Sequence, residues 1–144
     1  MLCHRAAAGA RLGMGRRGLA AVHETVRLSF SDEPAPEGVP PDRAPLVIMH
    51  GPLGSKQNWR SLSRSMAHKL QRRVIALDLR NHGTSPHMND ASYEAMAKDV
   101  QRFIFEQQIP APCLLGHSMV RFWRTMVQRL NHRHREARWQ CTLP

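Results

Sequence analysis

The sequence has few cysteines and no long apolar segment, and these two absences exclude several classes of protein. Its three cysteines, Cys3, Cys113 and Cys141, are far apart and form no CxxC pair. This argues against a disulfide scaffold or a structural zinc site and favours reduced thiols. No apolar run reaches the length of about 18 residues that a membrane-spanning helix needs. The 144 residues allow one domain, and a hydrophobic content of 42% excludes wholesale disorder.

Acidic residues are absent from one end of the chain and scarce at the other. Residues 1–23 carry four arginines and no acid, and residues 121–144 carry six arginines against Glu136 alone. The net charge of +10 therefore comes from the two ends, and the middle is close to neutral. A basic protein often has a nucleic-acid partner. Here the excess charge lies outside the segment that is expected to fold, so no specific nucleic-acid partner is expected.

The first 23 residues are rich in alanine, glycine and arginine, and their arginines alternate with apolar residues. This composition is typical of a cleavable mitochondrial presequence, whereas a secretory signal needs an unbroken apolar centre of about 7–15 residues. The segment therefore predicts a presequence-like basic arm and localisation in the mitochondrial matrix. A disordered basic arm without a targeting role is the alternative.

Hydrophobic periodicity predicts alternating strands and helices in the middle of the chain. Alternation at Val26, Leu28 and Phe30 predicts a half-buried edge strand within 23–30. Continuous apolar runs predict buried strands, and helical spacing predicts two helices. Asn58 or Ser55 can cap the first helix, and Ser92 can cap the second. The predicted buried strands are 46–49, 74–77 and 113–115, and the predicted helices are 58–70 and 92–107. This order predicts an α/β fold with a mostly parallel sheet and crossover helices.

The pentapeptide Gly116-His117-Ser118-Met119-Val120 follows the third buried strand. It matches four of the five positions of the G-x-S-x-G nucleophile elbow, in which a strained turn lifts a serine above the edge of the sheet. The helix that follows and the N–H after the serine favour developing negative charge. Alone, a serine before a helix is more often a helix cap, so the surrounding sequence has to indicate whether this one is a nucleophile.

Four stretches between residues 45 and 119 together resemble one family. They are HGPLGSKQNW, VIALDLRNHGTSPH, SYEAMAKDV and LLGHSM, in that order along the chain. They resemble α/β-hydrolases of the mitochondrial α/β-hydrolase domain-containing protein 11 type, which are related to small bacterial esterases. The resemblance implies a serine hydrolase of carboxylic esters or acylglycerols that takes a small acyl ester or lipid substrate and uses no metal or organic cofactor.

The resemblance also implies roles for individual residues. Ser118 matches the nucleophile, and the N–H of Met119 matches one donor of the oxyanion hole. The loop His50-Gly51-Pro52 matches the segment that supplies the second donor. Pro52 stands at the donor position but has no N–H, and losing one donor costs about 10²–10³ in rate in a serine protease. The Leu53 N–H is the alternative donor in this loop.

The resemblance ends after Met119. The family continues with small residues, whereas this chain continues with Val120-Arg121-Phe122-Trp123. The sequence therefore predicts three regions: the arm 1–23, the N-terminal part of a truncated hydrolase domain over 24–119, and a divergent helical tail over 120–144. Without further strands, the third buried strand is expected to be an uncovered edge. An unspliced intron, an alternative exon and true divergence all remain explanations of the tail.

The chain also lacks a recognisable catalytic acid and histidine. In this fold the order is serine, then acid, then histidine. After Ser118 the only acid is Glu136, and the only histidines, His132 and His134, precede it. The histidines nearer the serine, His50, His82 and His117, are expected to form loop and turn hydrogen bonds rather than act as bases. An impaired hydrolase is therefore expected.

The alternative function is non-catalytic. In the tail, aromatic residues Phe122, Trp123 and Trp139 lie among the arginines. Such a segment can bind RNA or an anionic membrane through charge and stacking.

Overall fold

The computed structural model describes residues 24–40, 42–109, 111–118 and the backbone of 140–141. The predicted basic arm and almost all of the tail lie outside these ranges. In chain order, the elements are β1 (Phe30–Glu33), β2 (Leu46–Met49), α1 (Arg60–Leu70), β3 (Val74–Leu77), α2 (Tyr93–Glu106), β4 (Cys113–Gly116) and β5 (Gln140–Cys141). A single 3-10 turn over Lys56–Trp59 leads directly into α1.

The strands form one sheet in the order β1-β3-β2-β4-β5. β1 is antiparallel to β3, and the other neighbouring strands are parallel. The chain passes from β2 to β3 through α1 and from β3 to β4 through α2. Parallel neighbours need such crossover connections, because a short turn cannot bring the chain back to the same end of the sheet. The predicted α/β fold with a mostly parallel sheet is confirmed.

The buried strands present alternate residues to the two faces of the sheet. Val47 and Met49 pack in a cluster with Val100 and Phe103 of α2. Leu46 and Ile48, the alternate residues of β2, pack in a second cluster with Ala67 of α1. Every residue of β2 and β3 is buried. A strand covered on both faces needs a continuous apolar run, which explains why the sequence pattern located these two strands without error.

Helix α2 begins where its cap was expected. The Ser92 hydroxyl oxygen accepts a hydrogen bond from the Ala95 N–H at 3.3 Å, and Glu94 lies in the first turn. Both features stabilise a helix N-terminus. Helix α1 begins two residues later than predicted. The preceding residues instead form the 3-10 turn, in which the Ser55 N–H donates to the Asn58 side-chain oxygen at 2.8 Å.

Two strand predictions differ from the structure. β1 begins at Phe30, and residues 24–29 before it belong to no strand, with Val26 and Leu28 buried in the same core cluster as Ile75 and Leu77 of β3. The segment is also tied to α2, since the Val26 N–H donates to Asp99 Oδ1 at 2.8 Å. The expected uncovered edge at β4 is wrong, because β5 pairs with it in parallel. Gln140–Cys141 are thus extended, in a tail that the sequence predicts to be helical.

Candidate active site

The candidate site lies where three parallel strands end together. Met49, the last residue of β2, is in register with Leu77 of β3 and Gly116 of β4. The loops after these strands therefore leave the sheet at the same level. The His117 N–H donates to the Met49 carbonyl at 3.1 Å, which continues the ladder one residue beyond β4. Ligands of open α/β sheets bind in the crevice outside this carboxyl edge.

Ser118 is the second residue after β4, and its side chain is exposed. Its backbone φ is 66°, in the left-handed region that few residues other than glycine adopt. Such a conformation costs about 1–3 kcal/mol and persists only where the surrounding structure enforces it. A strained turn that exposes a serine directly after a strand is the geometry of a nucleophile elbow.

The loop after β2 lies directly against this turn. A Cβ atom added to Gly51 would stand 3.0 Å from the His117 carbonyl oxygen and 3.1 Å from the Ser118 Cβ. Both separations are tighter than ordinary side-chain contacts. Glycine is therefore the residue that lets the two loops approach each other this closely. The structure thus brings together Gly51 and Ser118, which the sequence placed in one site.

His50 has a structural position in this site. Its ring is 1% exposed. Nδ1 lies 2.8 Å from the Gly51 carbonyl oxygen, and Nε2 lies 3.1 Å from the Leu79 backbone nitrogen, which donates to it. These partners fix the neutral tautomer with the proton on Nδ1. Both ring nitrogens are engaged, so His50 positions the loops after β2 and β3 and has no free nitrogen to act as a base.

The pKa of His50 is lowered from its ordinary value. Burial is the main cause, because it disfavours the imidazolium ion, and the neighbouring His82 acts in the same direction. The hydrogen bond to the Gly51 carbonyl and the charge of Asp78 oppose the shift. His50 is therefore held neutral at physiological pH.

The segment Gly51–Gly54 forms a tight turn in which the Gly54 N–H donates to the Gly51 carbonyl at 3.1 Å. Pro52 occupies the second position of this turn, where its fixed φ is favourable. Leu53 occupies the third position with a φ of 61°, which a branched residue seldom adopts. Its side chain is 98% exposed. Pro52 thus shapes the turn and offers no N–H, and Leu53 carries the next N–H along the chain.

A buried carboxylate joins the loops after β2 and β3, and sequence reasoning missed it. Asp78 Oδ1 accepts from the Lys56 N–H at 2.6 Å. Its Oδ2 accepts from Lys56 Nζ at 2.5 Å and from the Thr84 N–H at 2.9 Å. Burial raises the pKa of Asp78, but the hydrogen bonds from Lys56 and Thr84 outweigh it and lower the pKa below its ordinary value. The carboxylate is therefore charged and holds the two loops together.

A second buried ion pair supports the loop after β3. Arg80 and Asp99 are both fully buried, and the guanidinium binds the carboxylate through Nε at 2.6 Å and Nη2 at 2.8 Å. The remaining donors reach the backbone carbonyls of Asp90 and Glu24, each at 2.8 Å. Arg80 thus fixes the loop, α2 and the segment 24–29 to one another. The available sequence signal was a charged residue, Asp99, on the apolar face of a predicted helix.

The other two histidines near the site have neighbours of their own. The His82 ring packs against His50 at a tilt of 55° with ring centroids 4.8 Å apart, and its Nδ1 lies 2.9 Å from the Arg80 carbonyl oxygen. The exposed His117 ring packs edge-on against Trp59 at 6.0 Å. His82 therefore has the expected loop hydrogen bond, whereas the contact shown for the His117 ring is with Trp59.

A cleft of about 380 Å³ opens beside the elbow. Gly51 and His117 line it on the side of the serine, and Trp59 and Leu62 form an apolar wall. Its full lining is His50, Gly51, Pro52, Leu53, Gly54, Asn58, Trp59, Leu62 and His117. Most of this surface is apolar, with few polar groups, which suits a ligand with an apolar body.

Several sequence-predicted site residues lie outside the described part of the chain. They are Met119, His132, His134 and Glu136. Among the residues that the structure does describe, no three His, Cys, Asp or Glu side chains are grouped to hold a metal ion. Over the same residues, no helix has the length and apolar character needed to cross a membrane.

Comparison with known proteins identifies the family of this fold and site. The family model for the alpha/beta hydrolase fold matches residues 44–119. The sn-1-specific diacylglycerol lipase ABHD11 of Xenopus tropicalis is 47% identical over 75 residues, covering 52% of this chain and 24% of that protein. Ethanol acetyltransferase 1 of Cyberlindnera jadinii is 35% identical over 75 residues, covering 52% and 22%.

A solved structure titled "Marine microorganism esterase" superposes with a TM-score of 0.62 at 33% identity. The match covers 78% of this chain and 39% of that one. Of the two curated relatives named above, the diacylglycerol lipase and the acetyltransferase, the chain spans about a quarter of the length. The matched segment contains β2, β3, β4, both crossover helices and Ser118. The chain belongs to the α/β-hydrolase fold family, whose relatives here include esterases and lipases.

Proposed function

We propose that this chain carries the nucleophile half of a serine ester hydrolase, with Ser118 as the nucleophile. The observation that carries the proposal is the left-handed φ of 66° at Ser118, directly against Gly51 of the preceding loop. A helix-capping serine needs neither the strained backbone nor the close glycine. An elbow needs both, because the hydroxyl must stand above the sheet within reach of a carbonyl carbon.

The reaction is acyl transfer in two steps. The Ser118 oxygen attacks the ester carbonyl carbon and its proton passes to a base, then the alcohol leaves with a proton and an acyl-enzyme remains. Water attacks the acyl-enzyme in the second step, which releases the carboxylic acid and restores the serine. In the relative named as an ethanol acetyltransferase, an alcohol is the implied acyl acceptor. Hydrolysis and transfer of the acyl group to an alcohol share the first step, and we assign that step to Ser118.

The oxyanion formed in each step needs hydrogen-bond donors. We assign one donor to the Met119 N–H, by its place directly after the nucleophile. Pro52 offers none, so the second donor is assigned to the Leu53 N–H in the turn Gly51–Gly54. An oxyanion hole with a displaced donor stabilises the transition state less, since one lost donor costs about 10²–10³ in rate.

The substrate is assigned to carboxylic esters or acylglycerols. The cleft beside the elbow has an apolar wall from Trp59 and Leu62, which suits an acyl chain. The relatives named as diacylglycerol lipase and esterase act on substrates of this class by their names. The acyl chain would lie along this wall with its carbonyl carbon next to Ser118.

We further propose that the 144-residue chain by itself is an impaired catalyst. Ser118 needs a base to remove its proton, and His50 has no free ring nitrogen to serve as one. In the sequence after Ser118, the candidate acid and histidines lie within five residues of each other in the Arg-rich tail. The family's acid and histidine belong to separate loops after later strands, so this order does not form a triad.

A fluorophosphonate probe tests both parts of the proposal. The chain itself should label weakly or not at all. A chimera joining residues 24–118 to the downstream part of the frog diacylglycerol lipase supplies an acid and a histidine, and it should label strongly. Ser118→Ala should abolish that labelling, whereas the control Ser61→Ala, at an exposed position of α1, should leave it unchanged. Labelling of the chimera that survives Ser118→Ala would refute the nucleophile. Strong labelling of the chain alone that Ser118→Ala abolishes would refute the impairment.

The two ends of the chain carry separate proposals. Residues 1–23 are proposed to direct the chain to the mitochondrial matrix, and a fluorescent reporter fused to residues 1–30 should enter mitochondria. A purely cytosolic reporter would contradict this. Binding of RNA or anionic membrane by the tail is the alternative function. Salt-dependent retention on RNA or cardiolipin vesicles that disappears on deletion of 121–144 would favour it.

A further inference from the structure

A second cleft, of about 290 Å³, lies at the opposite end of the sheet from Ser118. Its lining includes Pro45, Arg73 and Ile109, which come shortly before β2, β3 and β4 respectively. Ser118 follows the carboxyl end of β4, and β4 is four residues long. At about 3.3 Å per residue, the two ends of the sheet are roughly 13 Å apart. This basic cleft is therefore separate from the candidate active site.

The basic cleft has more positive than negative charge. Arg43, Arg72 and Arg73 line it, and among its described lining residues Asp32 is the one carboxylate. Arg73 already occupies both oxygens of Asp32, through Nε at 2.9 Å and Nη2 at 2.6 Å. Arg43 and Arg72 thus bring two guanidinium charges that no carboxylate in the lining neutralises. Two such groups in one concave site attract an anion.

Arg72 also has an unsatisfied donor. Its Nε is shielded from solvent and has no hydrogen-bond partner among the residues described. A buried donor without a partner costs about 1–3 kcal/mol, and more on a charged group. The backbone of Arg72 is held at the end of α1 by its N–H, which donates to the Ala67 carbonyl at 3.3 Å. An anion in the cleft would offset the guanidinium charge of Arg72, and a shift of this side chain would be needed to bring the shielded Nε to it.

Apart from Gln108, the remaining lining of the basic cleft is apolar and rich in proline. The apolar walls come from Pro34, Ala35, Val39, Pro40, Pro45 and Ile109. Proline fixes its backbone φ, so such walls lose little conformational freedom when a ligand binds. The volume of about 290 Å³ lies just below the usual range for small-molecule sites, which favours a small ligand. A ligand that fits has an anionic head for the arginines and a short apolar body for these walls.

We propose that the basic cleft binds a small organic anion, a carboxylate or a phosphate ester, through the guanidinium groups of Arg43 and Arg72. The site is independent of the acyl-transfer site at Ser118. The anionic head pairs with the two arginines, and the apolar body lies against Val39, Ile109 and the prolines.

Calorimetry on the whole chain with hexanoate, hexyl phosphate and inorganic phosphate tests this proposal. Hexanoate, hexyl phosphate or both should bind. The compound that binds more tightly identifies the preferred head group. Binding should also shift the side-chain Nε–H resonance of Arg72 in an NMR spectrum. Inorganic phosphate should bind more weakly than hexyl phosphate, since it makes no contact with the apolar walls. Equal affinity of these two phosphates, or no binding of either hexyl compound, would overturn the proposal.

Variants with opposite expected effects distinguish binding in the basic cleft from nonspecific attraction of an anion to a basic protein. Arg72→Gln and Arg43→Gln should each weaken binding about tenfold or more, as expected for a lost hydrogen bond to a charged group. Asp32→Asn should tighten binding, because it releases Arg73. Arg60→Gln removes the same charge from an exposed position near the other end of the sheet and should change nothing. Equal losses in Arg60→Gln and Arg43→Gln would refute the site. Arg43 is exposed, so its variant decides the test even if Arg72→Gln does not fold.

Discussion

Asp99→Asn should destabilise the domain far more than Asp32→Asn, although both substitutions remove one partner of an arginine pair. Each carboxylate accepts from both Nε and Nη2 of its arginine, at 2.6 and 2.8 Å in the Arg80 pair and at 2.9 and 2.6 Å in the Arg73 pair. The geometries therefore match. The environments differ, because Arg80 and Asp99 are 0% exposed and Arg73 and Asp32 are each 35% exposed.

The expected losses in the free energy of unfolding follow from this difference in burial. Removing one partner of a buried pair leaves an uncompensated charge and costs about 3–5 kcal/mol. An exposed pair contributes about 0–1 kcal/mol, since water and salt screen it. Asp99 Oδ1 also accepts from the Val26 N–H, so its loss loosens the segment before β1 as well.

Urea denaturation followed by circular dichroism measures both free energies of unfolding. Asp99→Asn should lose about 3–5 kcal/mol, or be unfolded without urea if the parent is less stable than that. Asp32→Asn should stay within about 1 kcal/mol of the parent. Similar losses in the two variants would refute the argument that burial, and not pair geometry, sets the contribution.

Two further predictions concern the loops around the candidate site. Gly83 and Gly38 both have positive φ, of 54° and 81°, but a Cβ at Gly83 collides with the Asp78 carboxylate and one at Gly38 meets open space. Gly83→Ala should therefore cost about 1–3 kcal/mol more than Gly38→Ala in the same denaturation assay, and equal costs would contradict the contact. The lowered pKa of His50 means that its contribution to stability is present above its unfolded pKa of about 6.5 and is lost as pH falls. His50→Gln should flatten the loss of stability between about pH 7.5 and 5.5, and an unchanged slope in this variant would count against the shift.

The elements and the elbow could be predicted from the sequence because they are encoded locally. A strand such as Val74–Leu77 is a continuous apolar run, and α2 has both a cap and an apolar face. The elbow is a short motif after a strand. Each of these features depends on neighbours within a few positions, so a single sequence contains the evidence for it.

The polar framework under the site could not be predicted in the same way. Lys56 and Asp78 are 22 positions apart, and Arg80 and Asp99 are 19 apart. Their pairing depends on how α1 and α2 cross the sheet, which no local pattern encodes. β5 was missed for a related reason, because its two residues pair with β4 across more than twenty positions. A charge on a helix face that is otherwise apolar, as at Asp99, is the kind of signal that marks such a partner in advance.

The geometry of the serine and its reactivity depend on different parts of the molecule. The strained turn at Ser118 is held by the register of β4 with β2, by the His117 N–H on the Met49 carbonyl, and by Gly51 against the Ser118 Cβ. All of these contacts lie within residues 49–118.

The group that would accept the proton of Ser118 is not among these contacts. His50 uses both ring nitrogens on the backbone, and the Nδ1 of His82 lies against the Arg80 carbonyl. Both rings thus hold the backbone of the loops after β2 and β3. The order of catalytic groups in this fold places the base after the serine, on elements that the longer relatives contain. Under the proposed function, the hydroxyl of Ser118 is positioned by one half of the fold and would be activated by the other, which is why the chimera and not the chain alone is expected to react.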